Sequence, residues 1–224
     1  MENRLSVIIT IDGPAGAGKS TVAARLAERL GVAYLDTGAM YRAVTLAAME
    51  KNVPLDDNTA LARIAEQSVI DVTFEEGRSR IRLDGREVTD EIRSPLVTEQ
   101  AHYPAGAAEV REQLVRRQQE IGRRLGSLIT EGRDQGTVVF PEAQFKFYID
   151  ASPECRARRR KQQLREQGVE ISYEEVLAAQ RQRDQRDTNR QVGPLKPADD
   201  AIIVDTSEMT LEEVVEKLYQ IVNG

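Results

Sequence analysis

The sequence predicts an α/β fold: a parallel sheet covered by helices and interrupted by a small antiparallel insertion. Three observations carry this. Short apolar runs, as expected of strands buried on both faces, alternate with helical patterns at βαβ spacing. A stretch of strictly alternating apolar and polar residues then breaks the series. The apolar runs resume after it.

The elements follow in order. Residues 7–11 (VIITI) read as a strand, broken by DGPAGAG. The next helix carries Val22, Ala23, Leu26, Ala27 and Leu30 on one side, with Gly31 as its stop. VAYLD reads as a second strand ending at Asp36, and a second helix starts near Ala39 and runs towards Met49. DVTF (71–74) and SRIRL (79–83) alternate, with EEGR and DG supplying turns between and after them. Residues 68–105 are therefore read as an inserted subdomain, with 1–67 and 106–224 forming the core. Ser94-Pro95 opens a short helix, Ser as cap and Pro at the first helical position. A longer helix from about 107 to 125 buries Val110, Leu114 and Ile121. SLIT ends at Glu131-Gly132, FKFYID at Asp150, and AIIVD (201–205) is the last strand. Thr210 and Glu213 form a capping box for a final helix with Val214, Leu218 and Ile221 on one face.

At 224 residues the chain is one domain with an insertion, long enough to bury a sizeable core. Hydrophobic residues at 40% and charged residues at 30% are ordinary for a globular protein. The formal net charge of −6 argues against nucleic acid as a partner, so any phosphate site must concentrate positive charge locally. Cys155 is the single cysteine, which excludes an internal disulfide and fits a reducing compartment. Beside an Arg-rich run, Cys155 is either an activated thiol or, the commoner case, a packing residue. The apolar run in MENRLSVIIT is too short for a signal peptide. No stretch approaches the roughly 18 apolar residues of a membrane span, so the expected location is the cytoplasm with no membrane partner.

The sharpest motif is Gly13-Pro14-Ala15-Gly16-Ala17-Gly18-Lys19-Ser20, which matches GxxxxGK[ST]. A triphosphate must lie against bare backbone N–H groups, and glycines remove the side chains that would block it. The following helix N-terminus adds partial positive charge. Lys19 reaches the β- and γ-phosphates, and the Ser20 hydroxyl can ligate Mg²⁺. An apolar strand before the motif and an amphipathic helix after it supply the confirming context, so a nucleoside triphosphate with Mg²⁺ is the expected ligand. A Mg²⁺ site recruits a carboxylate from a neighbouring strand end. Asp36, Glu131 and Asp150 are the candidates, and Glu131 is preferred because its strand opens onto the expected ligand face.

Arginines exceed what nucleotide hydrolysis needs. Arg42 follows LDTGAMY at the start of a helix, Arg111 lies in the long helix after the insertion, Arg133 sits at a strand end, and Arg156, Arg159 and Arg160 share i, i+3, i+4 spacing. Arg183 and Arg190 flank Asp187. Each alone is an ordinary surface residue; together they point to a second anionic ligand and to charge over phosphates in transfer. His102 is the only histidine, so a histidine base is not expected. That suits an acceptor whose oxygen is already ionised. A kinase with a hydroxyl acceptor and a non-catalytic nucleotide-binding protein are the rival readings.

The segments ITIDGPAGAGKST, YLDTGAMYRA, LDGREVTDEIRSPLV, EVREQLVRRQ, EGRDQGTVVFPEA, ECRARRRKQQL, RDQRDTNRQVGPLKPADDA and IIVDTS resemble, in order and over nearly the whole chain, the bacterial cytidylate kinases, a family of nucleoside monophosphate kinases. LDTGAMYR, GRDxGTVVFP and DTNRxxxPLKPA in combination are the specific part. The resemblance implies a P-loop kinase core with a five-stranded parallel sheet, a monophosphate-binding insert and an Arg-rich lid at about 153–190. It implies transfer from ATP, with Mg²⁺, to CMP or dCMP, by a monomer. It also implies that Gly13 to Ser20 together with Thr21 bind ATP, and that Thr37, Arg42 and Arg133 hold the acceptor phosphate. Arg111, Asp134 and Arg190 then read the cytosine edge, Arg183 and Asp187 contact the ribose, and Arg156, Arg159 and Arg160 belong to the lid. Two positions depart from the family pattern: His102 stands where a serine near the cytosine amino group is usual, and Glu131 where an aspartate is usual. A neutral imidazole can still accept the amino proton, though a packing histidine reads the sequence equally well.

The polar run QRQRDQRDTNRQ (180–191) follows a helix opened by a Ser172–Glu175 capping box. Arg183, Asp187 and Arg190 fall on one face at i, i+4 and i+7, a binding face on which Asp187 keeps both arginines in place. Asp184, Gln185 and Thr188 are expected to be ordinary solvated residues.

Overall fold

The structure, a computed structural model, describes residues 7–75, 78–166 and 168–224. Strand β1 (Ile8–Asp12) is central, and its apolar run is almost fully buried. β2 (Ala33–Asp36), β6 (Leu128–Gly132), β7 (Phe145–Asp150) and β8 (Ile202–Asp205) complete a five-stranded sheet of order β2-β6-β1-β7-β8. All its pairings are parallel. The register brings Asp12 beside Gly132, Asp36 beside Glu131, and Asp150 beside Asp205. Four strands thus end in an aspartate at one edge and β6 in Glu131-Gly132, at the edge where ligands bind in open parallel sheets.

Alternation along the strands feeds two cores. One face carries Ile9, Ile11, Ile129 and Phe147 against α1 (Lys19–Leu30) and α9 (Leu211–Asn223). The other carries Leu35 and Leu128 against α2 (Thr37–Glu50), α3 (Asn58–Gln67) and α6 (Ala108–Leu125). β3 (Ile70–Glu75), β4 (Arg78–Leu83) and β5 (Arg86–Glu87) form the separate antiparallel sheet. Asp84 and Gly85 both take positive φ between β4 and β5, as a tight hairpin turn requires. Glu76 and Gly77 of the expected EEGR turn lie outside the described residues. The inward residues Val72, Ile81 and Leu83 join the α2–α6 core, and the Ser79 hydroxyl donates to the Tyr34 carbonyl at 2.5 Å, so this sheet is fastened to β2.

Three elements differ from the expectation. α2 starts at Thr37, two residues early, because Asp36 caps it by accepting from the Ala39 N–H at 3.0 Å. α3 was not expected at all, although Asp57 caps it in the same way and Leu61, Ile64 and Ala65 face the core. A π-helical turn, Gln135–Val139, follows β6. The remaining helices are α4 (Pro95–Gln100), α5 (His102–Gly106), α7 (Pro153–Glu166) and α8 (Tyr173–Thr188). Ser94 caps α4, and the Ser172–Glu175 and Thr210–Glu213 capping boxes form. Among the described residues no helix is long and apolar enough to cross a membrane.

Candidate active site

The glycine motif forms the loop between β1 and α1. Gly13 has φ +146°, and a Cβ there would fall on the Ile149 carbonyl of β7. Gly18 is the α1 N-cap with φ +93°, a conformation that strongly favours glycine. Between them Pro14, Ala15, Gly16 and Ala17 wrap the helix N-terminus, and Thr21 lies exposed in its first turn. The Lys19 Nζ, buried at 5% exposure, donates to the Pro14 carbonyl at 2.9 Å and lies 4.0 Å from Glu131 Oε2. Burial, together with the neighbouring Arg133, pushes the Lys19 amine down to about 7.

Ser20 and Glu131 come together as expected: the Ser20 hydroxyl donates to Glu131 Oε1 at 2.6 Å. Tyr34, which sequence reasoning missed, adds a hydroxyl 3.4 Å from the same oxygen. A hard hydroxyl oxygen and one carboxylate at the phosphate end of a P-loop fit Mg²⁺, which keeps several waters and takes few protein ligands. Among the described residues no group of three or more His, Cys, Asp or Glu is placed to hold a metal, so the other ligands would come from phosphate and water. Asp36 is committed elsewhere, to the α2 cap and to Arg42 Nη2 at 2.7 Å. Asp150 accepts from the Ala151 N–H at 2.8 Å.

Opposite the loop, the arginines converge. Arg133 Nε donates to Asp187 Oδ2 at 2.7 Å, across from β6 to α8. Burial opposes its charge, but Asp187 outweighs that and holds the Arg133 guanidinium above its ordinary range. Arg111 of α6, 2% exposed, is tightly paired with Asp134, and Gly193 packs against both. The Thr37 hydroxyl donates to the Glu131 carbonyl at 2.8 Å. Arg190 reaches the Ala105 carbonyl through Nη1 at 3.4 Å. Arg183 makes no hydrogen bond or ion pair with another described residue, and burial, with Arg133 beside it, pushes its guanidinium down to about 10. Buried donors stay unpartnered among the described residues at Arg42 Nε, Arg111 Nε, and Arg190 Nε and Nη2. Such groups are rare unless something else satisfies them.

Three expectations are corrected. Arg190 lies beyond α8, whose C-cap is Asn189, so it does not share a helical face with Arg183 and Asp187. Asp187 bonds Arg133 and neither of the two arginines flanking it. Asp184 is not an ordinary solvated residue: both its oxygens accept from Arg156, at 3.1 and 2.7 Å. Arg156 is 3% exposed and committed to protein acceptors. Arg159 donates to Thr206 and Arg160 to Gln163. Cys155 is buried, with its Sγ against the Ser207 carbonyl. His102 Nδ1 lies 2.8 Å from the Glu99 carbonyl. A carbonyl only accepts, so in the neutral ring Nδ1 carries the proton and Nε2 is left as an acceptor.

Asp12 also escaped the sequence reading. It is 3% exposed and accepts from the Gln135 and Gly136 N–H groups at 2.9 and 2.8 Å. It thereby fixes the turn that carries Arg133 and Asp134 to the strand that carries the glycine loop. Burial raises its carboxyl to about 7 against those two bonds. Its position directly before Gly13 was the available signal.

The family model described as cytidylate kinase matches residues 9–224. The chain belongs to the cytidylate kinase family. It is 47% identical over 216 residues to a cytidylate kinase of Caldanaerobacter subterraneus subsp. tengcongensis, covering 96% of this chain and 94% of that one. It is 48% identical to a cytidylate kinase of Pasteurella multocida over 93% of this chain and 92% of that one. A cytidylate kinase of Bacillus licheniformis is 43% identical over 100% of this chain and 98% of its own. Among solved structures, an uncharacterized protein from Eubacterium ventriosum aligns with a TM-score of 0.54 at 12% identity, over 97% of this chain and 98% of that one. That likeness concerns the fold alone.

The Lys19 environment makes a prediction. A triphosphate would restore the ordinary amine range, so binding should draw a proton from solution. At pH 8, one unit above the free value of about 7, uptake should approach about one proton per ATP. Titration calorimetry in two buffers of different ionisation enthalpy measures it, and uptake indistinguishable from zero would contradict the low value.

Proposed function

We propose that the protein transfers the γ-phosphoryl group of ATP, with Mg²⁺, to CMP and dCMP, giving CDP and dCDP. The observation that carries this is the set of buried guanidinium donors on Arg42, Arg111 and Arg190 that stay unpartnered among the described residues, with Arg183 close to Arg133 and to Lys19 of the glycine loop. A hydrolase has no use for so much positive charge opposite the nucleotide; a second phosphorylated ligand does.

In this reading the amides of residues 13–21 cradle the donor phosphates, and Lys19 neutralises the group in transfer. Ser20 and Glu131 hold Mg²⁺, which would supply charge neutralisation at the β- and γ-phosphates. Thr37, Arg42 and Arg133 hold the acceptor phosphate. One of its oxygens attacks the γ-phosphorus in line while the bond to the β,γ-bridging oxygen breaks and ADP leaves. A phosphate oxygen is ionised at neutral pH, so no general base is needed.

Cytosine offers an amino donor and two acceptors, N3 and O2. Asp134 and the His102 Nε2 can accept, and Arg111 and Arg190 can donate. Uracil reverses the first two of those groups, so mispaired buried polar groups would reject it. Arg183 and Asp187 contact the ribose. Segment 68–105 serves the monophosphate side, and segment 153–190, with Arg159 and Arg160, closes over the donor phosphates and excludes water.

The test is a product assay with ATP and Mg²⁺ against CMP, dCMP, UMP, AMP and hydroxy-acid metabolites. CDP and dCDP should form at least about a hundredfold faster than UDP. Absence of both products would end the reading, and ATP binding without any product would favour a regulatory nucleotide-binding protein.

A further inference from the structure

Helix α8 serves two neighbours from one polar face. Arg183 and Asp187 look towards β6, where Asp187 bonds Arg133. On the adjoining part of the same face Gln180 and Asp184 meet Arg156 of α7, beside the glycine loop. The hub there is Arg156, whose Nε donates to the Ala151 carbonyl at 2.9 Å. Its Nη1 donates to the Ala15 carbonyl at 3.1 Å and lies 3.3 Å from Gln180 Oε1. Both terminal nitrogens take Asp184 in a two-pronged pair at 3.1 and 2.7 Å. Gln180 Nε2 returns a bond to the Arg156 carbonyl at 3.2 Å. A Cβ on Gly16 would come within 2.9 Å of that same Gln180 nitrogen, so α8 rests directly on the loop.

We infer that Asp184 is a positioning residue: through Arg156 it fixes the backbone of the donor loop to the helix that presents Arg183 and Asp187 to the acceptor. This rests on the proposed function for its kinetic meaning. The planar fork of an arginine holds a carboxylate in one orientation, and the same guanidinium grips Ala15. Donor and acceptor sites are thereby set at one separation. In-line transfer depends on that separation more than on the affinity of either site alone.

The inference separates binding from rate. Asp184→Asn keeps the shape but turns an N–H₂ group towards the guanidinium. It should lower kcat about thirtyfold while the KM for ATP and for CMP each stay within about threefold. Amide hydrogen exchange at residues 15–18 should quicken at least about tenfold as the loop loses its anchor. A purely structural ion pair would lower the melting temperature and leave kcat per folded molecule alone. The paired replacement Arg156→Met with Asp184→Leu removes both charges without stranding either one; it should recover the melting temperature and keep the rate defect. Unchanged loop exchange in either variant overturns the tie, whatever the rate. Quickened exchange with kcat within twofold of the parent, or full recovery of kcat in the paired variant, overturns the positioning role. If the parent protein makes no CDP, the proposed function fails, and loop exchange still decides whether Asp184 anchors the loop.

Discussion

Replacing Lys19 with alanine is expected to lower kcat by about a thousandfold, or ~4 kcal/mol of transition-state stabilisation. The amine is the one lysine in the glycine loop, buried and held by the Pro14 carbonyl. In transfer the γ-phosphoryl group spreads negative charge over its outer oxygens, and a fixed cation in a dry site acts on that charge without reorganising. Stability should move the other way. With its folded value depressed to about 7, the charged amine is disfavoured in the native state. That penalty is fully present below about pH 7 and is relieved as pH rises towards the ordinary lysine range. Removing the amine should therefore raise the melting temperature at pH 6, and by clearly less at pH 9. Steady-state kinetics with saturating CMP and thermal melts at both pH values check the two halves separately. A variant with kcat within tenfold of the parent would remove Lys19 from the chemistry.

The sequence carried the frame of this site further than its wiring. The five strands were legible because burial on both faces leaves an apolar run with polar ends, and the glycine loop because its backbone path excludes side chains. Ser20 and Glu131 could be matched because both sit at the opening edge of neighbouring elements, and the structure sets them 2.6 Å apart. Asp184 could not be read. Helical periodicity sorts residues by angle about the helix axis, and Asp184 lies at the margin of the face that holds Arg183 and Asp187, about 100° round from the former. Sequence periodicity says nothing about a second wall, here α7, that covers the side judged to be wet. Arg190 was misplaced for a related reason: counting i+7 assumes that the helix continues, and it ends at Thr188. Asp12 was passed over because a strand-end aspartate reads as a boundary residue. Its partners, the N–H groups of Gln135 and Gly136, are more than a hundred residues away in sequence. The unpredicted π-helical turn presents those N–H groups, since GTVV has the composition of a strand.

Asp134→Asn should cause the largest change in substrate choice. In the parent, Asp134 is tightly paired with Arg111, and both are almost fully buried. Burial holds the Asp134 carboxyl above its usual range, while Arg111, Arg190 and Arg133 all oppose that and favour the ionised form. The carboxylate is acceptor-only, which suits the proposed role of receiving the cytosine amino group. An asparagine of the same shape puts an N–H₂ group among donors: the guanidinium on one side and the cytosine amino group on the other. One pair of donors must face each other without an acceptor, and in a buried site that mismatch is severe. We expect kcat/KM for CMP to fall about a thousandfold, equivalent to ~4 kcal/mol. Uracil presents an acceptor where cytosine presents its amino group, so the amide can serve it, and UMP use should be lost far less. The preference for CMP over UMP should therefore collapse by at least about a hundredfold. Leaving Arg111 buried without its counter-charge should also cost about 3 kcal/mol of stability, read from urea unfolding. The two measurements separate cause from consequence. A loss of stability with an unchanged CMP to UMP ratio would make Asp134 a structural partner of Arg111 alone. A collapsed ratio in a protein that still unfolds cooperatively would place the carboxylate at the base.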